Sequence, residues 1–200
     1  MPMLIEIQGN GYNVPFYSDE RIFLGEGLFE TLRVLGGKPC YSEFHWQRLQ
    51  NAAFFLQLPF ELSFPVWCEN LTQCIHLNRL QEGGIKVILG AGNAPRGLTA
   101  RSDASHLVFT AFTYLMDSNT VKLNSASWLR DSKNPIYQLK SINYLEAIIA
   151  RRQVQLSGAD DVLFLIQSNA LLTPRLLICL SSKTTNFLHR VCRMVCCPGL

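Results

Sequence analysis

The sequence predicts an α+β fold, in which an N-terminal antiparallel sheet with helices on one face is followed by an incomplete second α/β domain. Three observations lead to this prediction. The elements of residues 1–114 follow the order strand, strand, helix, helix, strand, strand, which is typical of a sheet covered on one side. Residues 115–120 have the polar composition of a linker. Residues 121–165 resume strand and helix signals, whereas residues 166–200 lose both.

The predicted strands of the first domain are recognised by alternation and composition. Residues 3–7 alternate apolar and polar side chains, as an edge strand does. Residues 29–35 are rich in strand formers and end at two consecutive glycines, which predict a tight turn. Residues 85–89 and 106–114 supply two more strands, joined by a glycine-rich loop.

Two helices are predicted between these strands. Ser42 can cap the first helix, whose apolar residues recur at helical spacing and stop before Pro59. Pro65 suits the first turn of the second helix, which continues past Ile75.

The second domain is predicted from a strand at 121–127, an amphipathic helix and a short buried strand at 161–165. The helix is predicted to open at Lys140 and to continue to about Gly158. Four residues form its apolar side, namely Ile142, Leu145, Ile149 and Val154.

Bulk composition argues against several classes of function. The net charge of +3 is small and scattered, so we expect no nucleic-acid partner. No apolar run is long enough to cross a bilayer and the N terminus lacks signal-peptide features, so we expect no membrane association and a cytoplasmic protein. The seven cysteines include no CxxC pair, so we expect no metal site.

Three short motifs carry the functional signal. A lysine forms a Schiff base once desolvation or nearby cations make its amine neutral, and the planar fork of an arginine suits a phosphate. The motifs are Gly25-Glu-Gly-Leu-Phe-Glu-Thr31, His45-Trp-Gln-Arg48-Leu49 and Lys140-Ser-Ile-Asn-Tyr144-Leu-Glu146. Together they resemble the fold-type IV family of pyridoxal-phosphate enzymes, the class IV aminotransferase family, from the N terminus to about Leu165. That family contains branched-chain aminotransferases, D-amino-acid aminotransferases and aminodeoxychorismate lyases.

The resemblance implies a cofactor and a set of residue roles. Lys140 is expected to hold pyridoxal 5'-phosphate covalently and later to move the substrate proton. Arg48 is expected to bind the phosphate, and Tyr144 the ring oxygen of the cofactor. Arg96, in the loop between the last two strands of the first domain, is expected to bind a substrate carboxylate. The pair Arg96-Gly97 is similar to the Arg-Gly-Tyr of the lyases, although the leucine that follows departs from that pattern.

The other motif residues are predicted to be architectural. Gly25 and Gly27 allow another backbone to approach closely. Glu26, between them, is expected to fix the loop that enters the strand. His45 is predicted to be a structural residue of the first helix rather than an acid or base.

The resemblance is strongest to the aminodeoxychorismate lyases, which form 4-aminobenzoate and pyruvate in folate biosynthesis. Two alternatives stay open. One is a class IV aminotransferase for D-amino or branched-chain amino acids, which would share Lys140 and Arg48. The other is a catalytically inactive, truncated remnant. The resemblance also implies a homodimer that acts on a small-molecule substrate, and a second domain that binds the cofactor.

Residues 166–200 predict a reading-frame slip. If each codon is regrouped from the last base of one residue and the first two of the next, the Met194-Val195 junction encodes glycine and the Cys196-Cys197 junction leucine. The remaining junctions permit a stretch similar to one found at this place in the family. We therefore interpret residues 166–200 as an off-frame tail, which DNA sequencing across codons 160–170 would test.

Overall fold

The computed structural model describes residues 4–8, 21–102, 104–113, 122–167 and 175–177. The chain divides into two compact units. The first contains Met1–Leu115 and Lys140–Asn143, and the second contains Met116–Leu139 and Tyr144–Leu200. The linker predicted at 115–120 lies outside the described residues. The short segment Lys140–Asn143 belongs with the first unit because its backbone pairs with a strand there.

A five-stranded sheet forms the first unit, in the order β1-β5-β4-β2-β3. Its strands are β1 (Leu4–Gln8), β2 (Gly27–Leu35), β3 (Lys38–Pro39), β4 (Glu82–Gly90) and β5 (His106–Phe112). Neighbouring strands are antiparallel except β1 and β5, which run parallel. The arrangement confirms the predicted α+β class. The parallel pairing of β1 with β5 was not predicted, because alternation within one strand does not show the direction of its neighbour.

Helices α1 (Ser42–Leu56) and α2 (Phe64–Asn78) pack against this sheet. Alternate residues of β2 are buried under them, and the Trp67 and Phe109 rings meet with centroids 5.5 Å apart. The helix limits confirm both predicted helices. The cap of α1 differs, because Tyr41 occupies the cap position with φ 55° and the Ser42 hydroxyl donates to the Pro39 carbonyl instead.

The second unit is a three-stranded sheet with one helix. Its strands are β6 (Leu123–Asp131), β7 (Asp161–Gln167) and β8 (Arg175–Leu177), and its helix is α3 (Leu145–Leu156). Strands β6 and β7 are parallel, so the chain crosses over between them as α/β units do. Strand β8 pairs antiparallel with β7, although the sequence after Leu165 shows no strand periodicity. Short 3₁₀ turns occur at Ile22–Leu24 in the first unit and Pro135–Gln138 in the second.

Helix α3 differs from its prediction in start and in buried face. It begins at Leu145 rather than Lys140. The buried residues are Ala147, Ala150 and Val154, whereas Leu145 is 63% exposed and Ile149 is 43% exposed. Small side chains let the helix backbone approach the sheet closely, so the alanines rather than the larger residues form the packed face. Only Val154 of the predicted apolar side is buried. No helix in the described part of the chain is long and apolar enough to cross a membrane.

Candidate active site

Lys140 lies in an extended segment that pairs with the start of β2. The Phe29 amide donates to the Lys140 carbonyl at 2.9 Å, and the Ile142 amide donates to the Gly27 carbonyl at 3.0 Å. Between these bonds, Ser141 and Leu28 form an antiparallel bridge. These strand-type bonds explain why the helix does not begin at Lys140. They also fix the backbone that carries the lysine.

The ring of Phe29 contacts two lysine side chains. The Lys140 nitrogen lies 4.0 Å from the ring centroid, and the Lys86 nitrogen lies 5.0 Å from the same centroid. Phe29 belongs to the half-buried positions of β2 that alternate with the core positions. An aromatic face attracts the charged ammonium form of a lysine and removes part of its water. Lys140 is therefore half-buried against an apolar surface rather than solvated at the end of a loop.

Two glycines make the approach of the Lys140 segment possible. A Cβ at Gly27 would lie 2.9 Å from the Ile142 Cδ1 atom and 2.9 Å from the Leu89 carbonyl oxygen. Gly25 has φ 79°, in the left-handed region that favours glycine. The contact at Gly27 confirms the predicted close backbone approach there, whereas Gly25 is favoured by its positive φ and a Cβ there would meet only the Asn143 side chain at 3.5 Å.

Arg48 is held by a carboxylate that lies beneath it. Its Nε atom donates to Glu30 Oε1 at 2.6 Å and its Nη2 atom to Glu30 Oε2 at 2.5 Å. The His45 Nδ1 atom lies 2.7 Å from Glu30 Oε2. The Glu30 side chain is 1% exposed, whereas that of Arg48 is 46% exposed. The guanidinium thus has one edge on a buried carboxylate while much of its surface remains accessible to an anion, and His45 is part of this structural cluster.

Burial alone raises the pKa of the Glu30 carboxyl, because it removes water from the charged form. The hydrogen bonds from Arg48 and His45 and their positive charge act in the opposite direction, and the net effect lowers the pKa below its usual range. Glu30 is therefore a carboxylate whose ionised form the fold stabilises.

No role was predicted for Glu30 from the sequence. Its position in the strand could have indicated one, because Glu30 alternates with the inward-facing Leu28 and Leu32. A carboxylate among apolar core positions is buried only when it is paired.

Arg96 lies on the exposed loop between β4 and β5. The tip of this loop is held by a buried arginine from another segment, Arg21, which donates to the Gly97 carbonyl at 2.8 Å. Like Lys140 and Arg48, Arg96 belongs to the first unit.

Tyr144 belongs to the second unit, where it occupies the cap position of α3. The Ile148 amide donates to the Tyr144 carbonyl at 2.9 Å, and the half-buried Tyr144 side chain packs against the core of that unit, as Trp128 also does.

Glu146 links three side chains of the second unit. It accepts from Trp128 Nε1 at 2.8 Å, from Arg130 Nε at 3.1 Å and from the Tyr137 hydroxyl at 3.4 Å. The Arg130 side chain is 8% exposed, and this carboxylate offsets the cost of burying its positive charge. Among the described residues, no group of three His, Cys, Asp or Glu side chains has an arrangement that could hold a metal ion.

We expect Glu146→Gln to lower the free energy of unfolding by about 1–3 kcal/mol, because Arg130 is left buried without a negative partner. Urea unfolding followed by circular dichroism measures the change. Glu69→Gln, on the exposed surface of α2, is the control and should change stability by less than about 0.5 kcal/mol. Equal stability of the two variants would show that the Arg130 charge is satisfied in another way.

The family model and the similar proteins agree on one enzyme family. The model of the family described as amino-transferase class IV matches residues 27–195. The aminodeoxychorismate lyase of Bacillus subtilis is 26% identical over 157 residues, which cover 76% of this chain and 54% of that protein. A bifunctional aminodeoxychorismate lyase and D-amino acid transaminase of Mycobacterium tuberculosis is 29% identical over 154 residues, covering 70% and 51%.

A solved structure extends the similarity. A protein from Legionella pneumophila, assigned provisionally as a 4-amino-4-deoxychorismate lyase, superposes with a TM-score of 0.78 and 50% identity. The match covers 84% of this chain and 62% of that one. The chain spans about half the length of the curated relatives it matches.

The family match covers most of the chain and reaches residue 195, beyond the point near Leu165 where the sequence resemblance was placed. The off-frame interpretation of residues 166–200 stays a prediction. The family predicted from the three motifs is confirmed: the chain belongs to the amino-transferase class IV family.

Proposed function

We propose that this chain is a pyridoxal-phosphate-dependent 4-amino-4-deoxychorismate lyase, which forms 4-aminobenzoate and pyruvate for folate biosynthesis. The observation that carries the proposal is the 50% identity to the Legionella protein, together with the similarity to two relatives that carry the lyase name. We further propose a cytoplasmic homodimer that acts on this small-molecule substrate.

The residues of the first unit fit the cofactor. A half-buried lysine on a backbone held by hydrogen bonds suits covalent attachment to an aldehyde, and an arginine on a buried carboxylate suits a phosphate. When bound, pyridoxal phosphate supplies an electron sink for the bond that breaks. Lys140 would hold the cofactor and Arg48 its phosphate. Tyr144 is proposed to donate to its ring oxygen.

The remaining roles concern the substrate. The reaction removes a ring proton beside the substrate amine and expels pyruvate as the ring becomes aromatic. The Lys140 amine would accept that proton. Arg96 would bind a substrate carboxylate through its planar fork.

A class IV aminotransferase is the second candidate. It is favoured by the Mycobacterium tuberculosis relative, whose name combines the lyase with a D-amino acid transaminase activity. An aminotransferase would use Lys140 and Arg48 in the same roles. The two activities differ in the product that leaves the enzyme.

The test supplies purified protein and pyridoxal phosphate with 4-amino-4-deoxychorismate, and separately with D-alanine or leucine and a keto acid. We expect 4-aminobenzoate, measured by fluorescence after chromatography, with little amino transfer. Amino transfer without aminobenzoate would replace the lyase proposal by the aminotransferase. If neither product forms, the same assays on a frame-restored variant separate an off-frame tail from an inactive remnant.

A further inference from the structure

Arg21 is a buried cation that joins two segments far apart in the sequence. Its side chain is 7% exposed and forms an ion pair with Glu26 through Nε. Its Nη1 atom donates to the Gly97 carbonyl at 2.8 Å, and its Nη2 atom lies 3.4 Å from the Leu98 carbonyl. All three guanidinium nitrogens therefore have an acceptor, and two of these acceptors directly follow Arg96.

The turn that contains Arg21 also holds the base of the Arg96 loop. The Glu26 amide donates to the Arg21 carbonyl at 3.1 Å, and the Glu26 carbonyl accepts from the Ala91 amide at 3.3 Å. Ala91 is the first residue after β4, where the loop begins. The turn is thus bonded to both the base and the tip of the loop. Glu26 is architectural, as the sequence predicted.

The same turn leads directly into the part of β2 that pairs with the Lys140 segment. The Gly27 carbonyl accepts from the Ile142 amide, and the Phe29 amide donates to the Lys140 carbonyl. The segment from Arg21 to Phe29 therefore bonds the Arg96 loop at one end and the lysine segment at the other.

We propose that Arg21 is a positioning residue, which fixes the Arg96 loop so that Arg96 meets the carboxylate of the substrate. The proposal rests on the proposed role of Arg96. A guanidinium binds a carboxylate through two parallel hydrogen bonds only when its planar fork is held in the right orientation, so a loop that is free to move weakens substrate binding. Arg21 supplies this placement because its rigid fork satisfies a carboxylate and two carbonyls in different directions.

Lysine cannot replace Arg21 in this task. Its ammonium is a compact charge that can keep the ion pair with Glu26, but it lacks a planar fork that spans two further carbonyls. Arg21→Lys therefore preserves the charge balance of the buried site while it releases the tip of the loop. Arg21→Gln is a second variant, used if the lysine variant shows no cooperative thermal transition.

Kinetics test the effect on the substrate. We expect Arg21→Lys to raise the KM for 4-amino-4-deoxychorismate about tenfold or more, with kcat changed by less than about threefold. Arg152→Lys, an exposed substitution on α3, should change neither constant. In the background of Arg96→Met, Arg21→Lys should raise KM no further, because Arg21 acts through Arg96. A full additional increase in the double variant would overturn the proposal.

Limited proteolysis tests the loop without turnover. Trypsin cleaves after Arg96, and we expect Arg21→Lys to speed cleavage of the Arg96–Gly97 bond about tenfold, as measured by mass spectrometry. Unchanged cleavage in a folded Arg21 variant would overturn the proposal, as would faster cleavage with an unchanged KM. If cleavage accelerates and the unsubstituted protein lacks lyase activity, the loop-holding role of Arg21 stands and the proposed function fails.

Discussion

Lys140→Ala is expected to lower lyase activity by about 10³-fold or more, because the variant loses both the covalent attachment of the cofactor and the group that moves the substrate proton. The visible absorption of the protein–cofactor complex should also lose its borohydride-sensitive component. Both readouts follow from one amine that is held against the Phe29 ring at 4.0 Å. Steady-state kinetics and absorption spectra of the purified variant measure them.

The chain offers a matched control for this experiment in Lys86. Its nitrogen lies 5.0 Å from the centroid of the same ring, so the two amines are at most about 9 Å apart, the sum of their distances to that centroid. Lys86→Ala removes an amine from the same aromatic surface but belongs to a different strand. We expect the Lys86 variant to retain the borohydride-sensitive band. If that band persists in Lys140→Ala and disappears in Lys86→Ala, the attachment site has been assigned to the wrong lysine.

The sequence predicted both helices and every described strand of the first unit except the two-residue β3, because the signals of these elements are local. Prolines, glycines and alternation marked the limits of β2, α1 and α2. The start of α3 was not predictable in the same way. The segment from Lys140 to Asn143 has helix-compatible residues, but its backbone bonds are taken by β2, which is more than a hundred residues earlier. A long-range pairing of this kind overrides local propensity.

The candidate site was predicted only in part for a similar reason. Motifs singled out Lys140 and Arg48 by their chemical types. The roles of Glu30 and Arg21 depend on contacts with residues that are distant in the sequence. Such contacts follow from the packed fold and cannot be read from the spacing of residues along the chain. Glu30 occupies an inward position of β2, but only the fold shows that Arg48 and His45 meet it there.

Glu30→Gln is expected to lower the free energy of unfolding by about 2 kcal/mol at pH 7, which is below the range of about 3–5 kcal/mol for breaking a fully buried pair. The glutamine has the same shape, but it loses the charge that Arg48 and His45 face and directs an amide donor at one of them. The cost is reduced because Arg48 is 46% exposed and water can solvate its charge. Urea unfolding measures the change, and Glu61→Gln, which is exposed, serves as control.

The pH dependence of this difference has a definite sign. The pKa of Glu30 is lower in the folded protein than in the unfolded chain, since the bonds and charges of Arg48 and His45 outweigh burial. The unfolded chain therefore binds its proton first as the pH falls, and the stabilising contribution is fully present above the unfolded pKa, at about 4.3 for a free glutamate. That contribution is lost as the pH falls from there through the lowered folded pKa. Hence the wild-type protein and Glu30→Gln should differ most near neutral pH, and the gap should narrow in acid.

A gap that stays constant from neutral pH into the acid range would contradict this account. It would mean that Glu30→Gln destabilises through shape or amide orientation, with no contribution from the ionised carboxylate. Glu61→Gln distinguishes the two readings, because an exposed carboxylate without a buried partner should give a small difference at every pH. If the difference in free energy of unfolding narrows in acid for Glu30→Gln and not for Glu61→Gln, the ionised Glu30 carboxylate is what stabilises the cluster that holds Arg48.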